Sequence, residues 1–250
     1  MASLGSGSRG NGTLVACGGS RVLIDCGFSL RQTSLRLARL GLQGSDLSAI
    51  LITHEHSDHA QGVKALALKY ELPVYLSHGT SRGVKDLAGV DQQVFNSHQS
   101  FHIGRLEVRP VAVPHDAREP TQFVFSDEHQ RIGVLTDLGH ITSHVIDCYQ
   151  GCDGLFVEAN HDTELLQNGS YPQHLKRRVG GKLGHLSNTQ TVDFLGHVNH
   201  QRLREVVVGH ISEQNNAPVC LDKAFQPLKD QLQRLRFASQ NQGMRWIPLG

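Results

Sequence analysis

The chain has 250 residues, 38 % of them hydrophobic and 19 % charged, with 24 lysines and arginines against 23 acidic residues. That balance excludes a protein drawn to nucleic acid by net charge, so any such attraction must come from a local patch. The length allows an ample core, and 16 histidines are far more than packing needs.

The amino-terminal "MASLGSGSRGNGTLV" has no apolar core for a signal peptide, and no later run approaches the roughly 18 apolar residues of a membrane span. Its glycines, serines and Arg9 suit either an anion-binding loop or a plain hairpin entering the first strand; the glycine-lysine-serine ending of a P-loop is missing. Along the chain, "TLVA", "RVLIDCG", "AILIT", "PVYLS", "LEVRPVAVPH", "TQFVFSD", "RIGVLTD", "GLFVEAN" and "EVVVGH" are short apolar runs that read as strands. Helical spacing appears in "SLRLARLGL", "GVKALALKY", "NTQTVDFLGHV" and "DKAFQPLKDQLQRLR", the last started or kinked by Pro227. The alternation predicts α/β layering, and no linker divides residues 1–250, which read as one domain. Cys17, Cys26, Cys148, Cys152 and Cys220 are odd in number and scattered, which argues against a disulfide framework. They read as small core residues of a soluble, cytoplasmic protein. His78, His98, His102, His129, His144, His197 and His200 read as surface or packing residues.

Five strands deliver a carboxylate or an imidazole at their carboxyl ends: Asp25, His54, His115, Asp137 and His210. That is where α/β sheets place ligand sites. The densest stretch is "THEHSDHAQG", with His54, His56, Asp58 and His59 in six positions. If alternate residues point one way, His54 and His56 share one metal while Asp58 and His59 turn to a second. Chance does not readily put three copies of an infrequent residue there, and metal binding is the better reading.

This stretch resembles the HxHxDH signature of the metallo-β-lactamase superfamily, and Asp25, His115, Asp137 and His210 match its other motifs in order. The resemblance implies a four-layer αβ/βα sandwich with metals in a groove at one edge. It implies that His54, His56 and His115 hold the first ion, that Asp58, His59 and His210 hold the second, and that Asp137 bridges them. Asp25 then orients a ligating histidine. Nitrogen and oxygen donors in this number suit zinc, with manganese the competitor. Two ions about 3.5–4 Å apart share a hydroxide as nucleophile. A di-iron redox branch has glutamate where this chain has His56; secreted β-lactamases usually lack the bridging aspartate; glyoxalase II thioesterases add a helical domain for which no room remains after His210.

Three more stretches bear on the substrate. "HLKRRVGGKLGHLSN" carries Lys176, Arg177, Arg178 and Lys182, and its "GHLSN" is similar to the "GHST" element of ribonuclease Z. His185 thereby becomes a candidate general acid or phosphate clamp, with Ser187 and Asn188 beside it for substrate. Glu158 and His161 in "LFVEANHD" resemble the strand end that supports the catalytic histidine in those nucleases, and a carboxylate beside His185 raises its pKa. Asp58, His185 and Glu158 are the candidate catalytic groups. Finally "GSGSRGN", "YPQHLKRR…GHLSN" and "HISEQNN", in this order, resemble the YycJ-type (WalJ) branch, which implies a DNA exonuclease acting from 5′ ends in connection with mismatch repair. Ile211 departs from that pattern conservatively, where leucine is expected. The rival readings are a ribonuclease or a cyclic phosphodiesterase of the phosphoribosyl 1,2-cyclic phosphate type on the same site, and a non-catalytic nucleic-acid-binding scaffold. A small cyclic substrate needs the basic segment less, and a scaffold has no need for seven ligands.

Overall fold

The computed structural model describes residues 1–199 and 201–249, so His200 lies outside the described residues. Six strands form one sheet in chain order: β1 (Ala2–Gly5), β2 (Gly12–Cys17), β3 (Ser20–Ile24), β4 (Ala49–Leu51), β5 (Val74–Ser77) and β6 (Gln92–Phe95). Seven form the other: β7 (Phe101–Ile103), β8 (Leu106–Ala112), β9 (Thr121–Ser126), β10 (Arg131–Leu135), β11 (Gly154–Glu158), β12 (Glu205–Gly209) and β13 (Leu235–Phe237). Each sheet starts as an antiparallel meander and continues parallel, from β3 onward in the first and from β10 onward in the second.

The helices among the described residues are α1 (Leu30–Ala38), α2 (Ser57–Ala60), α3 (Val63–Tyr70), α4 (His78–Gly83), α5 (Ser143–Tyr149), α6 (Thr163–Asn168), α7 (Gln173–Val179), α8 (Asn188–Val198) and α9 (Pro218–Phe225). None is long and apolar enough to cross a membrane. Strand alternation sorts the core into three seams. Leu14, Leu23 and Ile50 pack outward against Leu37 of α1 and Leu66 of α3, while Val15, Val22 and Leu51 point inward to Phe123, Phe156 and Val207. On the second sheet Leu155, Val157, Val206 and Val208 turn outward to Tyr149 of α5, Phe194 of α8 and Phe225 of α9. Three apolar seams separate four layers, αβ/βα. This is why "EVVVG" at β12 is buried at every position rather than alternating.

The start of the chain takes the hairpin alternative, β1 pairing antiparallel with β2. The predicted helix over residues 222–236 does not form. α9 begins at Pro218 and ends at Phe225, a 3-10 turn spans Gln226–Leu228, and Leu235–Phe237 joins the sheet as β13. Pro227 has no N–H to continue the helical ladder, and the chain turns there. The cysteines are free, with Cys26, Cys148 and Cys152 buried and Cys17 and Cys220 half-buried. His78, His98, His102, His129, His144 and His197 are exposed.

Candidate metal centre

Three residues just past strand ends hold left-handed backbone: Asp25 after β3 (φ 61°), Asp137 after β10 (φ 57°) and His210 after β12 (φ 47°). Such a conformation costs an L-residue about 1–2 kcal/mol and persists only where neighbours hold it. Here they do. Asp25 N–H donates to Leu51 O at 2.8 Å, Asp137 N–H to Glu158 Oε2 at 3.0 Å, and His210 N–H to the Ser6 hydroxyl at 2.8 Å. The strained corners bring Asp137 and His210 into one groove with the loop His54–His59 and set Asp25 behind it.

The imidazoles of His54 and His59 are fully buried, and His54 Nε2 lies 2.9 Å from His56 Nδ1. His115 Nδ1 is 3.0 Å from Gly184 O, which leaves its buried Nε2 without a partner. Donor atoms of His54, His56 and His115 lie within 4.8 Å of one another, as do those of His54, His59 and Asp137, and those of Asp137, His185 and His210. Asp25 Oδ2 sits 2.8 Å from His59 Nδ1, and the Thr53 hydroxyl holds the same carboxylate at 2.9 Å. The other nitrogen, His59 Nε2, is 3.4 Å from both Asp58 Oδ2 and Asp137 Oδ1. Asp137 Oδ2 and His210 Nδ1 are 3.0 Å apart but lack hydrogen-bonding geometry, and both are buried.

Buried polar atoms normally find partners, so several orphans converging on one groove fit the binding of a cation. The nitrogen and carboxylate donors suit a borderline divalent ion. Burial pushes His54 well below the ordinary histidine range and His115 below it, which keeps the imidazoles neutral and able to coordinate. Burial opposes ionisation of Asp137, but His210 and His59 outweigh it and hold the carboxyl well below its usual range. His59, resisting burial through Asp137, Asp25 and Asp58, is pushed well up.

His185 stands at the rim. Its Nδ1 is 3.1 Å from Glu158 Oε2 and 3.7 Å from Asp137 Oδ1, with a fifth of the side chain exposed (20 %). Glu158 is not a surface acid: it is fully buried and also accepts the Leu138 and Leu186 amides through Oε1. Burial works against a charged His185, yet Glu158 and then Asp137 raise its pKa to about 9. His161 is buried behind this strand end and held neutral, pushed down by burial to about 4.

A beta-lactamase superfamily domain matches residues 20–211, the stretch that carries this geometry. The chain belongs to that superfamily. Exodeoxyribonuclease WalJ of Streptococcus pneumoniae is 34% identical over 219 residues, covering 85% of this chain and 81% of the relative. Exodeoxyribonuclease YycJ of Bacillus anthracis is 34% identical over 217 residues, covering 85% and 82%. The chain thus falls in the WalJ/YycJ branch of the superfamily. The metallo-β-lactamase fold protein YhfI from Bacillus subtilis shares the fold at a TM-score of 0.74, 15% identity and 96% coverage of each chain.

On this superfamily scaffold the basic segment is not uniform. Arg178 of α7 is tied by its Nε to Asp116 Oδ2 at 2.6 Å, and Asp116 Oδ1 lies 3.4 Å from His115 Nε2. Arg178 therefore lines the groove, about 210 Å³ in volume, whereas Lys176 turns back to Gln167 O at 2.7 Å. Arg177 and Lys182 are exposed. Ser187 and Asn188, expected beside the substrate, make contacts within the fold. The Ser187 hydroxyl caps α8 by accepting the Gln190 amide, and buried Asn188 exchanges amide hydrogen bonds with Asn216 at 2.8 and 3.0 Å. Both side chains are committed to holding the loop that carries His185.

Asn11 was not singled out from the sequence. Its Nδ2 reaches His59 Nε2 at 3.0 Å, and its N–H donates to Asp58 O at 2.8 Å. Gly27 packs against the same place: a Cβ there would lie 1.6 Å from Asp58 O, a backbone atom that cannot rotate aside. Gly27→Ala is expected to destabilise the protein by about 3 kcal/mol or more through forced backbone displacement. Denaturant unfolding checks this, and a midpoint equal to wild type would contradict the packing.

Proposed function

We propose that this protein is a metal-dependent nuclease that removes nucleotides from DNA, working from the 5′ end. The observation that carries the reading is the His185–Glu158 pair, set 3.1 Å apart on the rim of the histidine–aspartate cluster and beside Arg178. The names of the WalJ and YycJ relatives agree with it. In this reading His54, His56 and His115 hold one divalent ion and Asp58, His59 and His210 a second. Asp137 lies between them, and Asp25 fixes the orientation of His59. Zinc and manganese are the candidates, and when bound such ions supply Lewis acidity and acidify a water for attack on phosphorus.

The chain's own groups do the rest. Arg178, held by Asp116, presents a guanidinium to the phosphate. Glu158 occupies His185 Nδ1, so Nε2 is the nitrogen left to give its proton to the departing sugar oxygen. The test supplies manganese or zinc to the purified protein with end-labelled single- and double-stranded DNA, RNA and a cyclic phosphate ester. Stepwise shortening of DNA from the 5′ end is expected. Turnover of the cyclic ester with DNA untouched would replace this reading with the small-molecule one.

Salt dependence offers a second check. Replacing Lys176, Arg177 and Lys182 by alanine is expected to weaken DNA binding and flatten its salt dependence, by roughly 0.7 in log–log slope for each single-strand phosphate that is no longer neutralised. Turnover of a small chromogenic phosphodiester, which does not reach those residues, should hardly change. Equal loss on both substrates would mean that the segment builds the groove itself.

A further inference from the structure

A cationic hollow lies apart from the metal groove, between α1 and the carboxyl-terminal segment. Arg36 on α1, Arg39 just after it, and Arg245 near the carboxyl end surround about 300 Å³ together with Ser3, Leu4 and Gln242. No carboxylate lines it, and among the described residues none of the three arginines lies within ion-pairing distance of one. Arg36 is built in rather than solvated. Its Nη1 donates to Leu4 O at 2.5 Å and Asn241 O at 3.0 Å, its guanidinium rests 4.0 Å over the Phe28 ring, and its Nε is buried without a partner. Burial lowers the pKa of Arg36, and Arg39 and Arg9 lower it further by repulsion. Arg36, Arg39 and Arg245 thus stand together with no carboxylate beside them, whereas Arg9 is paired with Glu213 at 2.6 Å.

The hollow connects to the metal groove along two lines. Ser3 and Leu4 wall the hollow, and Ser8 lines the metal groove. Residues 4 to 8 can span at most roughly 14 Å, so the hollow lies within a few nucleotides of the groove. Between the two lies an open groove. It shares Ser212 with the metal groove and Gln242 with the arginine hollow. This middle groove has no basic lining; it offers Phe237, 40 % exposed, and the exposed Asn241, and its two carboxylates, Glu213 and Asp222, are paired with Arg9 and Lys229. An exposed aromatic face suits a nucleobase, and a cationic hollow beyond it suits the next anchored phosphate.

We propose that the hollow formed by Arg36, Arg39 and Arg245 holds a backbone phosphate of the substrate strand a few nucleotides from the scissile bond. The proposal rests on the nuclease reading and adds where the uncleaved part of the strand runs. It also sets a length requirement: a dinucleotide cannot reach the hollow, and an octanucleotide can.

The test measures kcat and KM on a dinucleotide and on a single-stranded octanucleotide, for wild type and for Arg39→Ala/Arg245→Ala. Both side chains are exposed, and Arg36, which holds backbone, is left alone. The double variant is expected to raise KM for the octanucleotide about ten-fold, the worth of one charge-assisted hydrogen bond of about 1.4 kcal/mol. Its kcat and its dinucleotide kinetics should stay at the wild-type values, and the salt slope for the octanucleotide should flatten by roughly 0.7. An unchanged octanucleotide KM, or an equal loss on both substrates, overturns the proposal while leaving the nuclease reading standing. A wild type that cleaves neither substrate sinks both.

Discussion

Asp137→Ala is expected to cut metal loading and activity together. Its carboxylate lies 3.4 Å from His59 Nε2 and 3.0 Å from His210 Nδ1, so one residue contacts donors assigned to the second ion and shares a donor group with His54 of the first. Outer partners of a metal site are worth roughly 10–100-fold in affinity, and a shared ligand more than that. Elemental analysis of wild type purified without chelator should approach two ions per chain, and the alanine variant should fall to one or fewer. Turnover should drop by roughly 10³-fold or more, since each 1.36 kcal/mol of lost charge stabilisation is about a factor of ten and several are at stake. Asp137→Asn separates chemistry from folding, because asparagine tolerates the left-handed backbone (φ 57°) that alanine resists. It should unfold like wild type when both are stripped of metal, and still take up fewer ions. A wild type that stays metal-free and yet hydrolyses DNA would end the two-metal reading.

What was legible in the sequence was what is local. The cluster from His54 to His59 is contiguous, and the strand-end residues declare themselves because apolar runs stop at them. The helix read in "NTQTVDFLGHV" has the bounds the structure gives α8, since Ser187 and Gln190 form its capping box within four residues. Non-local features were not legible. Nothing in the neighbourhood of Asn11 or Asp116 announces that folding sets them against His59 and His115. The left-handed corners at Asp25, Asp137 and His210 depend on partners far along the chain, such as Ser6 for His210. Edge strands were missed for a related reason: Gln92, Gln93 and Val94 of β6 are exposed, so pairing rather than burial defines them. The four cations of the basic segment look alike in sequence, and only the fold ties Arg178 to the groove and Lys176 away from it.

His185→Ala is expected to leave the metals bound while lowering turnover on DNA by roughly 10²–10⁴-fold, the usual worth of a placed general acid. The geometry permits a different role, since a donor atom of His185 lies within 4.8 Å of those of Asp137 and His210, which would make it a ligand. The two roles separate cleanly. A ligand's loss lowers metal content; an acid's loss does not. The position of Glu158 favours the acid: fully buried, it lies 3.1 Å from His185 Nδ1 and accepts the Asp137, Leu138 and Leu186 amides. A carboxylate so fixed stabilises the protonated ring and leaves Nε2 to deliver a proton to the sugar oxygen, which departs poorly without one. The deficit should therefore shrink on an ester whose leaving group is an acidic nitrophenol, because that group leaves without protonation. Glu158→Gln should reproduce part of the loss on DNA and little of it on the nitrophenyl ester. Should His185→Ala slow both esters equally with full metal content, the residue clamps the phosphate and the leaving oxygen takes its proton from elsewhere.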